Sequence, residues 1–369
     1  MTLGIHEILC FIAIAQLLLF SIVLITLKKG RSLSNTLLAL FLFSKSIGII
    51  NHIIFRLNVQ NPHIYFILVP FAFLWGPSLY FYIKSLVYKD FYLKKTHLLH
   101  LFPFLLANLY FIFVFHFQGV ETKFEIISET LSYSSIQHII FVGILHIQIA
   151  FYMTASVQTL LKYRSKLKQN FSNLAEVSLP WLNIVFFGFM LIWIIDVAAF
   201  VLINFGVARL SLNSISLMLT FVFANIILYE ALRQPEIFSG IEEKEKYQQS
   251  PLSTKEKEQI LEQLRTHMER EKPYLNPALS MNRLAKRLVV PPRYLSQVIN
   301  ESLGINFYDF VNSYRVEEAK RLFLDVSNNH RNILELLFDA GFNTKSAFNR
   351  VFKKYTGMTP SEFKRTHLP

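Results

Sequence analysis

Seven long apolar stretches fill the first 232 residues of this 369-residue chain, and they limit its fold more than any other feature. They cover residues 5–27, 33–57, 64–87, 97–117, 135–161, 181–205 and 210–232. A hydrocarbon core of roughly 30 Å takes about 20 helical residues to cross, so each stretch is long enough. In lipid the backbone polar groups must be satisfied within each segment. The expected fold class is therefore all-α: a seven-transmembrane-helix bundle followed by whatever the remaining residues build. Composition agrees, with 53% hydrophobic residues and only 17% charged, where a soluble protein has about 25%. The cations nearest the first stretch, Lys28, Lys29 and Arg31, follow it, so it reads as a retained span and not a leader peptide.

Alternate loops are rich in cations. Lys28, Lys29 and Arg31 share one, Lys89, Lys94 and Lys95 a second, and Lys162, Arg164, Lys166 and Lys168 a third. The other loops hold Arg56, Lys123 and Arg209 alone, which makes ten against three. The positive-inside rule then puts the N-terminus outside and, after seven crossings, the C-terminal region in the cytoplasm.

Charges inside the spans are the candidates for sensing. Lys45 lies near the middle of the second span and Asp196 slightly past the middle of the sixth. Each alone costs about 2.5–3.5 kcal/mol at a helix centre. Either the two pair across the bundle, or Lys45 snorkels and Asp196 is protonated or wetted. The third span should kink or break at Pro70 and at Trp75-Gly76-Pro77. His97, His100 and Asn108 share a face of the fourth span, and His52 shares a face with Lys45. The histidines lack the spacing of a recognised metal site, so they read as the polar lining of a cavity, and neither a metal nor another cofactor is expected. The single cysteine, Cys10, excludes an intrachain disulfide and a zinc site built on cysteines. No catalytic constellation is apparent, and the chain is not expected to be an enzyme.

From Gln234 the composition turns charged and polar. Gln234-Pro235, Ser239-Gly240 and Gln249-Ser250-Pro251 punctuate a connector over residues 234–270. Ser253 and Glu256 form a capping box that starts a helix through about Arg270. Its stripe of Ile260, Leu261, Leu264 and Met268 either docks on the domain that follows or pairs two chains. Residues 271–369 then carry 15 Lys/Arg against 9 Asp/Glu, a balance that suits a polyanion.

Two helix-turn-helix patterns occupy this last region. The first runs from Met281 to Leu288, turns through Val289-Val290-Pro291 and continues to about Glu301, with Leu284, Ala285, Leu288, Leu295, Val298 and Ile299 inward. A linking helix over about 307–324 leads to the second, with Asn332 as N-cap, Gly341 at the turn and a second helix over about 344–355. The outer faces of the two second helices carry Arg293, Ser296, Gln297 and Asn300, and Lys345, Ser346, Asn349, Arg350, Lys353 and Lys354. Arg can bond guanine O6 and N7 together, Asn or Gln can do the same for adenine, and Lys and Ser suit phosphate.

The runs Tyr314-Arg-Val-Glu-Glu-Ala-Lys-Arg-Leu322, Ala340-Gly-Phe-Asn-Thr-Lys-Ser-Ala-Phe348 and Phe352-Lys-Lys-Tyr-Thr-Gly-Met-Thr-Pro-Ser-Glu-Phe363 resemble the signature of the AraC/XylS family of bacterial transcription regulators. The resemblance covers roughly residues 272–366. It implies seven helices, two helix-turn-helix units and a long helix between them, with both recognition helices in the major groove on one DNA face. By position it makes Arg293, Ser296, Gln297, Lys345, Ser346, Asn349 and Arg350 the base readers. The Val289–Pro292 turn and Val298-Ile299-Asn300 depart from the usual pattern, so first-unit contacts are less defined. The membrane half is similar to an arrangement found ahead of this domain in some family members.

The expectation is a multi-pass regulator of a bacterial inner membrane. Its partners would be double-stranded DNA, the lipid bilayer and an unknown small-molecule or membrane-derived signal, with a homodimer left open. A transporter or intramembrane enzyme with a fused regulatory domain is the alternative, and a purely anchoring membrane half is a third.

Overall fold

The computed structural model describes residues 4–27, 31–57, 60–132, 136–174, 179–205, 210–233, 252–328 and 330–367. Lys28, Lys29, Arg209 and the connector punctuation at 234–251 lie outside the described residues. The chain divides into two compact units, Met1–Leu160 with Leu179–Glu243, and Leu161–Ser178 with Lys244–Pro369. Among the described residues there is no β-strand; an isolated bridge joins Phe171 to Ser280 inside the second unit.

The first unit holds α1 (Ile5–Thr26), α2 (Ser32–Arg56), α3 (Trp75–Val87), α4 (Phe102–Phe111), α5 (Val120–Ser132), most of α6 (Ile136–Asn170), α7 (Pro180–Asn204) and α8 (Leu210–Arg233). Among the described residues, six segments are long and apolar enough to cross a membrane: Ile5–Thr26, Ser32–Arg56, Pro62–Val87, Lys95–His116, Ile136–Asn170 and Trp181–Leu202. The seventh expected span contributes only a shorter apolar run, Ser214–Glu230 within α8, so the count of seven is not exact. The third span is broken, as its prolines require: two 3₁₀ turns, Pro62–Ile64 and Val69–Leu74, precede α3. In the fourth, a π-helical turn at Ile112–His116 continues α4.

The second unit contains α9 (Thr254–Glu271), α10 (Met281–Leu288), α11 (Pro292–Leu303), α12 (Phe307–Leu324), α13 (Ile333–Asp339), α14 (Lys345–Thr356) and α15 (Pro360–His367). Two cores share α12. Leu284, Ala285, Leu288, Leu295 and Ile299 pack on Phe307, Phe310 and Val311, while Leu336, Leu337, Phe348 and Phe352 pack on Val316, Ala319 and Phe323. The stripe on α9 docks: Leu264 and Met268 are fully buried in the first core, with Ile260 against it. That answers the question the stripe left open.

The second unit also takes in residues from the loop after the fifth span. Leu174 packs on the second core, and Ser172 Oγ donates to Leu279 O at 2.6 Å. Buried Arg315 donates to Tyr274 O (2.7 Å), Asn276 O (3.0 Å), Ser172 O (3.1 Å), Ser172 Oγ (3.1 Å) and Asn312 Oδ1 (3.3 Å). A guanidinium has five N–H donors, and all five are used.

Candidate nucleic-acid interface

Each helix-turn-helix unit is set by caps at both ends. In the first, Ser280 Oγ accepts from Arg283 N at 3.4 Å to start α10, and Val289 ends it in the left-handed region at φ +56°. Val290 N reaches back to Ala285 O at 3.0 Å, Pro292 opens α11, and Gly304 closes it at φ +69°. In the second, Asn332 Oδ1 accepts from Glu335 N at 2.9 Å and Thr344 caps α14. Between them Gly341 takes φ +86°, where an added Cβ would lie 2.4 Å from Tyr274 O. No side chain fits there, so the tight turn requires glycine.

These caps leave α11 and α14 with one buried face and one open face. Leu295, Val298 and Ile299 are buried on α11, and Phe348, Val351 and Phe352 on α14. Lys345, Ser346, Asn349, Arg350 and Lys353 are exposed, and among the described residues no side-chain hydrogen bond or ion pair occupies them. Lys354 differs: its Nζ sits 2.7 Å from Asp309 Oδ1, and the neighbouring Tyr355 hydroxyl donates to Asp309 O at 2.9 Å. That lysine braces α14 against α12.

The α11 face is quieter. Arg293, Ser296 and Gln297 are half-buried and Asn300 exposed. Gln297 donates to Glu301 Oε2 at 3.2 Å, Asn300 donates to Ser296 Oγ at 3.4 Å, and Lys257 of α9 forms an ion pair with Glu301 at 2.6 Å. Helix α14 has four cations and no acid, whereas α11 has one of each. The stronger polyanion surface is therefore α14.

Residues 284–366 match the helix-turn-helix domain family. They are an AraC-type helix-turn-helix domain. The AraC-type region is similar to an uncharacterised HTH-type transcriptional regulator of Staphylococcus aureus (strain COL), 33% identical over 86 residues, which are 23% of this chain and 11% of that protein. It is also similar to YesN, an uncharacterised transcriptional regulatory protein of Bacillus subtilis (strain 168), 38% identical over 95 residues and 24% of each chain. The chain thus spans between a tenth and a quarter of these relatives' length. Among solved structures, a protein of unknown function from Listeria innocua is 26% identical, covering 29% of this chain and 97% of that one, with a TM-score of 0.26.

Outside the AraC-type domain, the intramembrane candidates fall in two places. Lys45, His52 and Asp196 line one cavity of about 330 Å³ in the first unit. Lys45 Nζ lies 3.7 Å from the centre of the Trp75 ring, and Asp196 Oδ1 accepts from Ser216 Oγ at 2.5 Å. Among the described residues no direct ion pair joins Lys45 to Asp196. His100 stands apart, its Nδ1 2.6 Å from the Tyr152 hydroxyl. His52 instead meets His6, which sequence reasoning passed over. Arg315 was passed over too, because nothing in a sequence marks one arginine of a basic domain as buried.

Proposed function

We propose that the protein is a membrane-bound, sequence-specific DNA-binding transcription regulator. In this reading residues 1–233 form the membrane domain, 234–270 the connector and 271–369 the DNA-binding domain. The N-terminus faces outward, α8 completes a seventh crossing, and the C-terminal domain lies in the cytoplasm of a bacterial cell. Base reading falls to Lys345, Ser346, Asn349 and Arg350 of α14 and to Arg293, Ser296, Gln297 and Asn300 of α11. Lys353 takes phosphate, as Lys354 does when it leaves Asp309. The observation that carries the reading is the open face of α14, where among the described residues Lys345, Asn349, Arg350 and Lys353 have no side-chain hydrogen bond or ion pair.

The membrane domain would couple a signal to transcription by shifting the population of two arrangements, one of which presents the DNA-binding domain better. A signal can do this only by binding one arrangement more tightly than the other. The polar cavity holding Lys45, His52 and Asp196 is the place offered for that difference.

The test uses the full chain in lipid nanodiscs and DNA fragments recovered by genome-wide mapping of bound sites. Arg350→Ala should weaken specific binding by about 1–3 kcal/mol while leaving non-specific binding nearly unchanged. Lys353→Ala should weaken all sequences alike and lower the salt dependence by about one charge. Specific binding that is indifferent to Arg350→Ala would remove α14 from the base-reading surface.

A further inference from the structure

We propose that His6, Cys10 and His52 form a binding site for a transition-metal ion that takes imidazole and thiolate together, zinc(II) or copper(I). His6 and Cys10 stand four residues apart on α1 and so leave the same face of that helix. His52 comes from α2, which packs beside α1 in the same unit. His6 Nε2 lies 3.2 Å from His52 Nε2 and 3.7 Å from Cys10 Sγ, and all three donor atoms are within 4.8 Å of one another.

Two of those separations are the ones an ion would impose. Zinc bonds nitrogen at about 2.0–2.1 Å and sulfur at about 2.3 Å; at tetrahedral angles this sets two nitrogens about 3.3 Å apart and a nitrogen and a sulfur about 3.6 Å apart. Two edges of the coordination figure are already in place. Without a cation, the two Nε2 atoms meet lone pair to lone pair unless one ring carries its proton there.

The surroundings suit the same chemistry. His6 Nδ1 is 3.0 Å from Ser214 Oγ on α8. An outer partner of this kind holds an imidazole with its other nitrogen free to ligate. Cys10 is 1% exposed and packs with Ala13, Ile53 and Leu217, an apolar wall that favours a soft ligand set over a hydrated hard cation. Binding would release the thiol proton of Cys10 to solvent. The three donors line the cavity that also holds Lys45, His146 and Asp196, so the fourth position opens to water or an incoming ligand. His146 Nδ1, on the same cavity, is buried and has no hydrogen-bond partner among the described residues. The single cysteine rules out a site built of cysteines, but not one in which it joins two imidazoles. No sequence spacing announces the set, because His52 is 46 residues from His6.

An ion there would fasten α1 to α2 and, through Ser214, bias the position of α8. The inference is independent of DNA reading, and either can fail without the other. The experiment is a titration of the full chain, without a polyhistidine tag, in nanodiscs with cobalt(II) as a spectroscopic stand-in for zinc, and separately with copper(I). We expect one equivalent of cobalt with tetrahedral ligand-field bands and a thiolate-to-metal charge-transfer band, displaced by zinc. Cys10 is the chain's sole cysteine, so that band can come from nowhere else. Cys10→Ser should abolish the band, and His52→Asn, which keeps the thiol, should lower affinity at least tenfold with the helical circular dichroism unchanged. Stoichiometric copper(I) with no cobalt uptake would assign the site to copper. Uptake of neither ion, or uptake that both variants leave unchanged, overturns the proposal.

Discussion

Replacing Arg315 by Met tests how the second unit is held together. The side chain is 1% exposed and has no carboxylate partner; five neutral acceptors surround it. Burial pushes the guanidinium down to about 10, which still leaves it charged at neutral pH. Hydrogen bonds to a charged group contribute about 1.5–3 kcal/mol each, so five outweigh a burial cost of several kcal/mol. Methionine fills similar volume and removes that cost, but it leaves Tyr274 O and Asn312 Oδ1 without a donor. Asn276 O keeps Leu279 N, and Ser172 O keeps Asn312 Nδ2. Two orphaned oxygens at roughly 1–2 kcal/mol each, with the lost charged bonds largely offset by the burial cost that is removed, lead to a net loss of about 2–4 kcal/mol. Amide hydrogen exchange on the full chain in nanodiscs should therefore show protection along α12 falling roughly 30- to 1,000-fold. Arg315→Lys should rescue little, because three donors cannot serve five acceptors. Ser172→Ala, which keeps the residue 172 carbonyl, should cost about 1–2 kcal/mol. A methionine variant within about 0.5 kcal/mol of the parent, or full rescue by lysine, would refute this reasoning.

Three other outcomes follow from single sites. Gly341→Ala should cost about 2–4 kcal/mol, read as lost exchange protection in α13 and α14, because its Cβ meets Tyr274 O at 2.4 Å and Leu275 Cα at 2.9 Å. Val289→Gly should stabilise the domain by up to about 1 kcal/mol, since a β-branched residue there is 90% exposed at φ +56° and packs on nothing. The Arg321 guanidinium, aided by Lys272, holds the Glu318 carboxyl below the usual carboxylate range. Stability from this group is thus fully present above the ordinary value of about 4.5 and drains away as pH falls through the lower folded value. Exchange protection of α12 should drop in that acid window, and Glu318→Gln should flatten the drop.

The second unit was largely legible because its signals are local. Capping residues, turn glycines and apolar stripes three or four residues apart specify helices without reference to distant chain. Ser253, Asn332 and Gly341 all sit where their local chemistry placed them. What could not be read needed distance. Nothing near Ser172 says that its carbonyl is an acceptor for an arginine 143 residues on. Nothing near His6 says that a helix beginning at Ser32 returns His52 to it. Lys354 looked like its neighbours, and only the reach of Asp309 from α12 separates it from them.

The Arg315 joint also bears on the order of synthesis. Its acceptor at Ser172 leaves the ribosome before most of the chain exists, and the arginine follows only after α7, α8 and the connector have been made. The closing of this long loop is a late, slow event compared with the local turns of α10 and α11. Until then the C-terminal core lacks one of its own pieces, and Arg315 lacks two of its five acceptors. A chain that misplaces the segment around Ser172 would therefore carry a helix-turn-helix region that has not finished folding.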